Sequence, residues 1–331
     1  EPLLAVLRAG REGKRLDPLS TSRLIADTAE GLDAAHELRT MAGEPIENGT
    51  LVIQNGKIVA VGSDVAVPGD ATRIEAKGRV IMPGIVDTHS HIGQVAGADG
   101  SGPIQPEVRA MDSIDPLASS IGKARAGGVT TVNIMPGSGH LMSGQTFYMK
   151  LRRGHTIEDI AFEMKNGAAL GGMKMANGTN PMGRSGFPGT RAKSASLVRE
   201  VFTEAKAYCA GDRKKRELSK DALCEVLSGE RLVHFHTHRA DDIMTVLRLR
   251  DEFGFKVVLH HVSEAWKVPG ELARAGVPCS VIVVDSPGGK IEAMDMSLAT
   301  GAVLEAAGVG DLHAEGVETE GRRNAGELPG G

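Results

Sequence analysis

The chain has 331 residues, a formal net charge of −4, 43 glycines and only 3% aromatic residues. That length holds one large domain plus a small one. The mild charge, with no basic stripe interleaved with aromatics, excludes nucleic-acid binding, and no apolar run is long enough to make a membrane partner. Arg213-Lys214-Lys215-Arg216 is the one basic run, and it reads as a solvated helix face. Cys209, Cys224 and Cys279 show no paired spacing. That argues against a disulfide framework or a thiolate zinc site and for a reducing, cytoplasmic location. The apolar stretch Leu3 to Leu7 is short, and the charged residues Arg8 to Arg15 follow rather than precede it, so no signal peptide is expected.

Residues 1–39 read as an N-terminal extension, with a helix expected over Ala26 to Leu38. Residues 40–82 read as a small β unit. Asn48-Gly49 and Asn55-Gly56 are hairpin signals, and Leu51-Val52-Ile53 and Lys57 to Val61 flank the second. Val80 to His91 reads as a buried strand interrupted by Pro83-Gly84, which marks entry into the next domain.

Residues 83–316 repeat strand, loop and helix. Strands are expected at Val129 to Ile134, Gly171 to Ala176, Leu232 to His236, Phe255 to His261 and Val277 to Val283. Helices are expected over Ala195 to Leu227, Ala240 to Phe253 and Pro269 to Ala275. Apolar strands alternating with long helices imply an α/β fold with a parallel sheet. Chemistry-bearing side chains at the strand C-termini favour a closed (β/α)8 TIM-type barrel. The open doubly wound sheet is the alternative, and it lacks a G-x-G-x-x-G after the first strand. Residues 317–331 are polar, lack apolar periodicity and read as a disordered tail.

Several side chains at those strand ends are suited to chemistry. His89 and His91 are two apart, so on a strand they project from one face and can hold one divalent ion; two hydrogen-bonded polar residues at a strand end are the plainer reading. His234, His236 and His238 alternate along another strand, with His234 one layer deeper as a packed, hydrogen-bonded histidine. His260 and His261 are adjacent and are expected to point opposite ways. Lys174 lies between apolar residues, where a cation is costly to bury. A snorkelling lysine is the alternative there.

Pro83-Gly84-Ile85-Val86-Asp87-Thr88-His89-Ser90-His91 resembles the first barrel strand of the amidohydrolase superfamily, and Ile46 to Gly62 resembles its N-terminal β-sandwich. Imidazolonepropionase-like amidohydrolases and metal-dependent dipeptidases are the nearest groups by this resemblance, which runs from about residue 40 to about residue 310. It implies a hydrolase of C–N amide bonds that uses a metal-activated water. His236-Thr237-His238-Arg239-Ala240-Asp241-Asp242 is similar to the family's HxHRxDD segment, with His236 the better ligand candidate and His238 facing substrate or serving as the alternate ligand. His261 matches the histidine that ends the sixth strand. Lys174 matches a lysine that is carboxylated and bridges two metals. One or two zinc ions on His89, His91, Lys174, His236 and His261 are therefore implied.

The glycine-rich loop from Met135 to Gln145 resembles a pocket-lining loop, which makes His140 and Gln145 candidate substrate contacts. Arg191 and Arg239 are candidates for a substrate carboxylate, or for pairing with Asp241 or Asp242. The implied substrate is a small-molecule amide, a cyclic amide or a dipeptide, and a homo-oligomer is in keeping with the family. The family's eighth strand ends in an aspartate that moves the proton of the attacking water. Here Leu312-His313 fits, but Glu315 stands near the aspartate's place and the following sequence diverges. A barrel incomplete at its C-terminal end is expected. Glu315 and His238 are the candidates for proton transfer, and Asp285 for a supporting contact. Two further readings stay open: a catalytically impaired, truncated barrel, and a mononuclear deaminase of the same superfamily.

Overall fold

The computed structural model describes residues 5–10, 46–93, 99–165, 168–182, 187–282, 290–310 and 312–314. The expected helix over Ala26 to Leu38, Asp285, Glu315 and the tail after residue 316 lie outside the described residues.

The described residues fall into two compact units. The first takes those up to Val86, together with Leu117–Thr131 and Lys150–Ile160. Its sheet runs β3-β2-β1-β4, from β1 (Ala5–Gly10), β2 (Thr50–Gln54), β3 (Lys57–Gly62) and β4 (Thr72–Lys77). The Asn55-Gly56 turn joins β2 to β3 with both residues at positive φ, 53° and 75°, as a tight hairpin requires. Part of the extension thus belongs to this sheet: β1 pairs antiparallel with β2 and parallel with β4. Among the described residues the β unit is this single four-stranded sheet. Helix α1 (Ser119–Ala126) also lies in this unit.

The Val80 to His91 reading needs correction. Only Ile85–Ser90 forms a strand (β5), and Val80 is 90% exposed, with Met82, Ile85 and Val86 exposed as well. β5 ends the order of a three-stranded sheet, β5-β6-β8, so among the described residues its first residues lack a partner strand on one side. β6 is Val129–Ile134 and β8 is Phe147–Lys150.

The second unit takes Asp87–Pro116, Val132–Met149 and the described residues from Ala161 onward. Its largest sheet runs β15-β14-β13-β12-β11-β7. These strands are β7 (Met142–Gln145), β11 (Met173–Ala176), β12 (Val233–Thr237), β13 (Val257–His261), β14 (Cys279–Val281) and β15 (Leu312–Ala314). Strands β9 (Met164–Lys165) and β10 (Ala168–Ala169) form a separate hairpin. From β11 to β15 all neighbours are parallel, as alternation with helices requires. The helices are α2 (Ile157–Ile160, in the first unit), α3 (Arg191–Ala210), α4 (Leu218–Leu227), α5 (Ala240–Phe253), α6 (Pro269–Ala275) and α7 (Thr300–Ala306).

The expected closed barrel is not what the sheets form. Among the described residues the strands lie in open sheets, and β7 meets β11 antiparallel where a barrel would place a parallel strand. The glycine-rich segment read as a loop supplies that strand: β7 begins at Met142, inside it. The expected helix over Ala195 to Leu227 is likewise two helices, separated at Gly211 to Glu217.

Period-two alternation explains what the sheet does next. Met173, Val233 and Val257 share one register layer; Met175, Phe235 and Leu259 share the next. All six are buried and pack with Val198, Phe202, Leu223, Val226, Ile243 and Val246 of the helices. Phe202 stacks on Phe253 and Phe255, with ring centroids 5.1 and 5.3 Å away. Each such ring stabilises the fold by roughly 1.5–3 kcal/mol through burial. The opposite face of the same strands therefore receives Lys174, His234, His236 and His260.

The cysteine reading is also corrected. Cys209 of α3 and Cys224 of α4 form a disulfide, with Cα atoms 5.7 Å apart. Packing of two helices joined them, which spacing in the sequence does not report. Such a bond is unusual in a reducing cytoplasm. Among the described residues no helix is long and apolar enough to cross a membrane.

Candidate metal centre

Of the chain's 11 histidines, His89, His91, His234, His236, His238, His260 and His261 gather in the second unit. His89 and His91 come from the end of β5 and the residue after it. Their rings meet edge to face at 5.1 Å. The Nδ1–H of His91 donates to the Met135 carbonyl at 2.7 Å, which presents Nε2 as the lone-pair nitrogen. His89 Nε2 lies 3.3 Å from Lys174 Nζ, and that fully buried amine also reaches Met135 Sδ at 3.4 Å.

His236 and His261 bring β12 and β13 to the same place. Their rings lie 4.4 Å apart, and His261 also meets His89 at 4.7 Å and stacks on His238 at 5.0 Å. Simple alternation sends His260 and His261 to opposite faces, yet both join the cluster. His260 stands in register with His236, on the inward face. The backbone then turns left-handed at His261 (φ 71°) and Val262 (φ 40°), swinging the His261 ring back. That conformation costs a non-glycine residue about 1–3 kcal/mol and concentrates at functional sites. Val262 N–H donating to the Thr237 carbonyl at 2.9 Å helps hold the turn.

A second layer of polar groups lies beside these. His234 Nε2 accepts from the Tyr148 hydroxyl at 2.8 Å and meets Asn133 Nδ2 at 3.1 Å. Its Nδ1 meets His260 Nε2 at 2.9 Å, and His260 Nδ1 lies 3.3 Å from His89 Nδ1. Burial pushes the Tyr148 hydroxyl up to about 12. Burial, then the His260 and Lys174 charges, holds His234 well below the usual histidine range. Burial, then His261 and His238, does the same for His236. Both rings are therefore neutral at pH 7, the form a metal requires.

Glu292, in a 3₁₀ turn at Ile291–Ala293, is the residue sequence reading missed. It is buried, and its Oε2 accepts from Thr179 N at 2.8 Å and lies 3.5 Å from Arg191 Nη2. Nothing local marks it: it sits between Ile291 and Ala293 in a short turn and reaches the cluster only through long-range packing. The two candidate arginines both pair with carboxylates. Arg191 Nε donates to both Asp242 oxygens, at 3.0 and 2.8 Å, and Arg239 pairs with Asp241 at 2.9 Å. Burial raises the Asp242 carboxyl against the pull of Arg191. His140 is half-buried just before β7, and the Gln145 amide donates to the Pro106 carbonyl at 3.2 Å. His238 Nδ1 meets Ser263 Oγ at 2.7 Å.

These residues fit a divalent ion. Neither ring nitrogen of buried His236 has a hydrogen-bond partner, nor does Glu292 Oε1. Imidazole and carboxylate are the donors zinc prefers. Ligand atoms of His236, His238 and Glu292 lie within 4.8 Å of one another.

No family model matches the chain. The crystal structure of an amidohydrolase from Thermotoga maritima MSB8 is similar to it, with 33% identity and a TM-score of 0.74 over 81% of this chain and 74% of that one. An amidohydrolase of Hapsidospora irregularis is 29% identical over 267 residues, 68% of this chain but 27% of that protein. An imidazolonepropionase of Caldanaerobacter subterraneus is 43% identical over 49 residues, 15% of this chain and 12% of that protein. The chain thus spans between an eighth and about a quarter of these two curated relatives. With its parallel sheet and its histidine-lined strand ends, it belongs to the amidohydrolase superfamily.

Proposed function

We propose that this chain carries the metal-dependent centre of a hydrolase that cleaves a C–N amide bond in a small molecule, either a cyclic amide or a dipeptide-like substrate. The observation that carries the reading is the convergence of histidines from three strand ends on one buried lysine. His89, His91, His236 and His261 hold one or two zinc ions in this reading, and Lys174 bridges when two are present. Burial favours the neutral lysine amine. That amine adds to CO₂ and releases one proton, giving a carbamate whose two oxygens can each face an ion.

The ion supplies Lewis acidity, polarising a carbonyl and acidifying a water. The chain's own residues do the rest. His238, oriented by Ser263, is placed to hold or pass a proton at Nε2. Glu315 takes the superfamily aspartate's role as base. His140 and Gln145 line the substrate side. A substrate carboxylate would compete with Asp242 and Glu292 for Arg191 and with Asp241 for Arg239, and the Arg239 side chain, 43% exposed against 32% for Arg191, is the more accessible. We take the six- and three-stranded sheets to be arcs of one (β/α)8 barrel. Thr88 Oγ1 lies 2.8 Å from Ser280 Oγ, linking β5 to β14 at the side-chain level.

The test is metal content in a His89→Ala, His91→Ala double variant, compared with hydrolysis of cyclic amides and dipeptides before and after chelation. Loss of metal and of hydrolysis together is the expected outcome. Unchanged metal content overturns the ligand set.

A further inference from the structure

We propose that Glu292, with His236 and His238, forms a cation-binding face in which Glu292 Oε1 is the third ligand atom. The inference rests on the proposed function above for His236, adds Glu292, and makes His238 a ligand in place of the proton carrier proposed there. All three side chains are more than nine-tenths buried, and their ligand atoms lie within 4.8 Å of one another. A four-coordinate ion with bonds of about 2.0–2.2 Å needs ligand atoms roughly 3.3–3.5 Å apart. Side-chain rotations closing the triangle by up to about 1.5 Å would suit such an ion.

Hydrogen-bond accounting is the second, independent observation. Glu292 is fixed by one oxygen only: Oε2 faces Thr179 N and Arg191, while Oε1 is buried with no hydrogen-bond partner. Both ring nitrogens of His236 are in the same condition. A buried carboxylate must be compensated at its oxygens to be tolerated. Arg191 does so incompletely, because its Nε is committed to Asp242. His238 meets Ser263 Oγ through Nδ1, which fixes the plane of its ring.

The loop after β11 makes room for this carboxylate. Gly178 has φ 76°, and a Cβ there would stand 2.5 Å from Glu292 Oε2. Two imidazoles and one carboxylate select a borderline divalent first-row ion and leave at least one coordination position open.

The probe is Co²⁺, titrated into chelator-treated full-length protein and followed by its visible absorption and by equilibrium dialysis. Glu292→Gln keeps the shape and the Oε2-side contacts but removes the anionic ligand. It is expected to weaken one class of Co²⁺ binding at least tenfold and to shift its absorption bands. The His89→Ala, His91→Ala variant is expected to keep that class. Glu292→Gln binding Co²⁺ with unchanged affinity and spectrum overturns the inference. So does loss of all binding in the double variant with native Glu292 in place, an outcome that supports the ligand set of the proposed function instead. Should Glu292→Gln fail to fold, His238→Gln carries the same test: loss of the band supports the inference and retention overturns it.

Discussion

Two groups of polar side chains, joined at His234 and His236 of β12, are accounted for in different ways. In one, Tyr148, Asn133, His234 and His260 are joined by contacts of 2.8 to 3.1 Å, although Asn133 Oδ1 has no hydrogen-bond partner. In the other, His236 and Glu292 keep buried atoms with no hydrogen-bond partner. Each unsatisfied buried polar atom costs about 1–3 kcal/mol. His236 alone carries two, a sizeable part of a typical stability of about 5–15 kcal/mol. A group that costs this much is explained when something else completes it. The first layer is built from the chain's own contacts; in the proposed reading a divalent ion completes the second.

The sharpest way to break that comparison is to replace one histidine from each layer. His236→Leu should lower bound metal at least tenfold by elemental analysis. Its chelator-treated form should melt no lower than the parent, since two unsatisfied atoms are gone. His234→Leu should do the reverse. It strands the Tyr148 hydroxyl and the Asn133 amide, costing about 2–4 kcal/mol in denaturant unfolding, with metal content unchanged.

Lys174→Ala should halve the metal content; a stoichiometry that does not move removes the bridge from the account. Acid should sharpen the contrast further. The His234 ring is held well below the usual histidine value. Its contribution is therefore whole above about pH 6.5 and is lost as pH falls, because the unfolded chain takes up a proton that the folded one refuses. The stability of chelator-treated protein should drop by up to about 1.4 kcal/mol per pH unit for this one group. His234→Leu should flatten that slope. Tyr148→Phe is the mildest test, costing about 1 kcal/mol by removing one hydrogen bond and leaving metal content alone.

Much of this arrangement is legible in the residues themselves. Val129–Ile134, Ala240–Phe253 and Pro269–Ala275 form the expected elements with the expected limits, because apolar periodicity and helix boundaries are local signals. The alternation in Met173 to Ala176 and Val233 to Thr237 also predicts which side chains face the helices. Other features depend on contacts far apart in sequence. His260 was expected to point away from His261, and two left-handed residues defeat that rule. Glu292 meets Arg191 across a loop no pattern foretells. Val80 to Met82 is apolar enough for a strand, but among the described residues no neighbouring strand covers it. The cysteine pair formed because two helices pack, and the antiparallel β7 emerged from a segment whose glycines suggested a loop.

The most direct measurement is metal content per chain, by elemental analysis of folded protein after gel filtration. The account predicts at least one equivalent of a divalent ion, and two where Lys174 bridges. A folded protein that holds none, even after incubation with zinc, would contradict it.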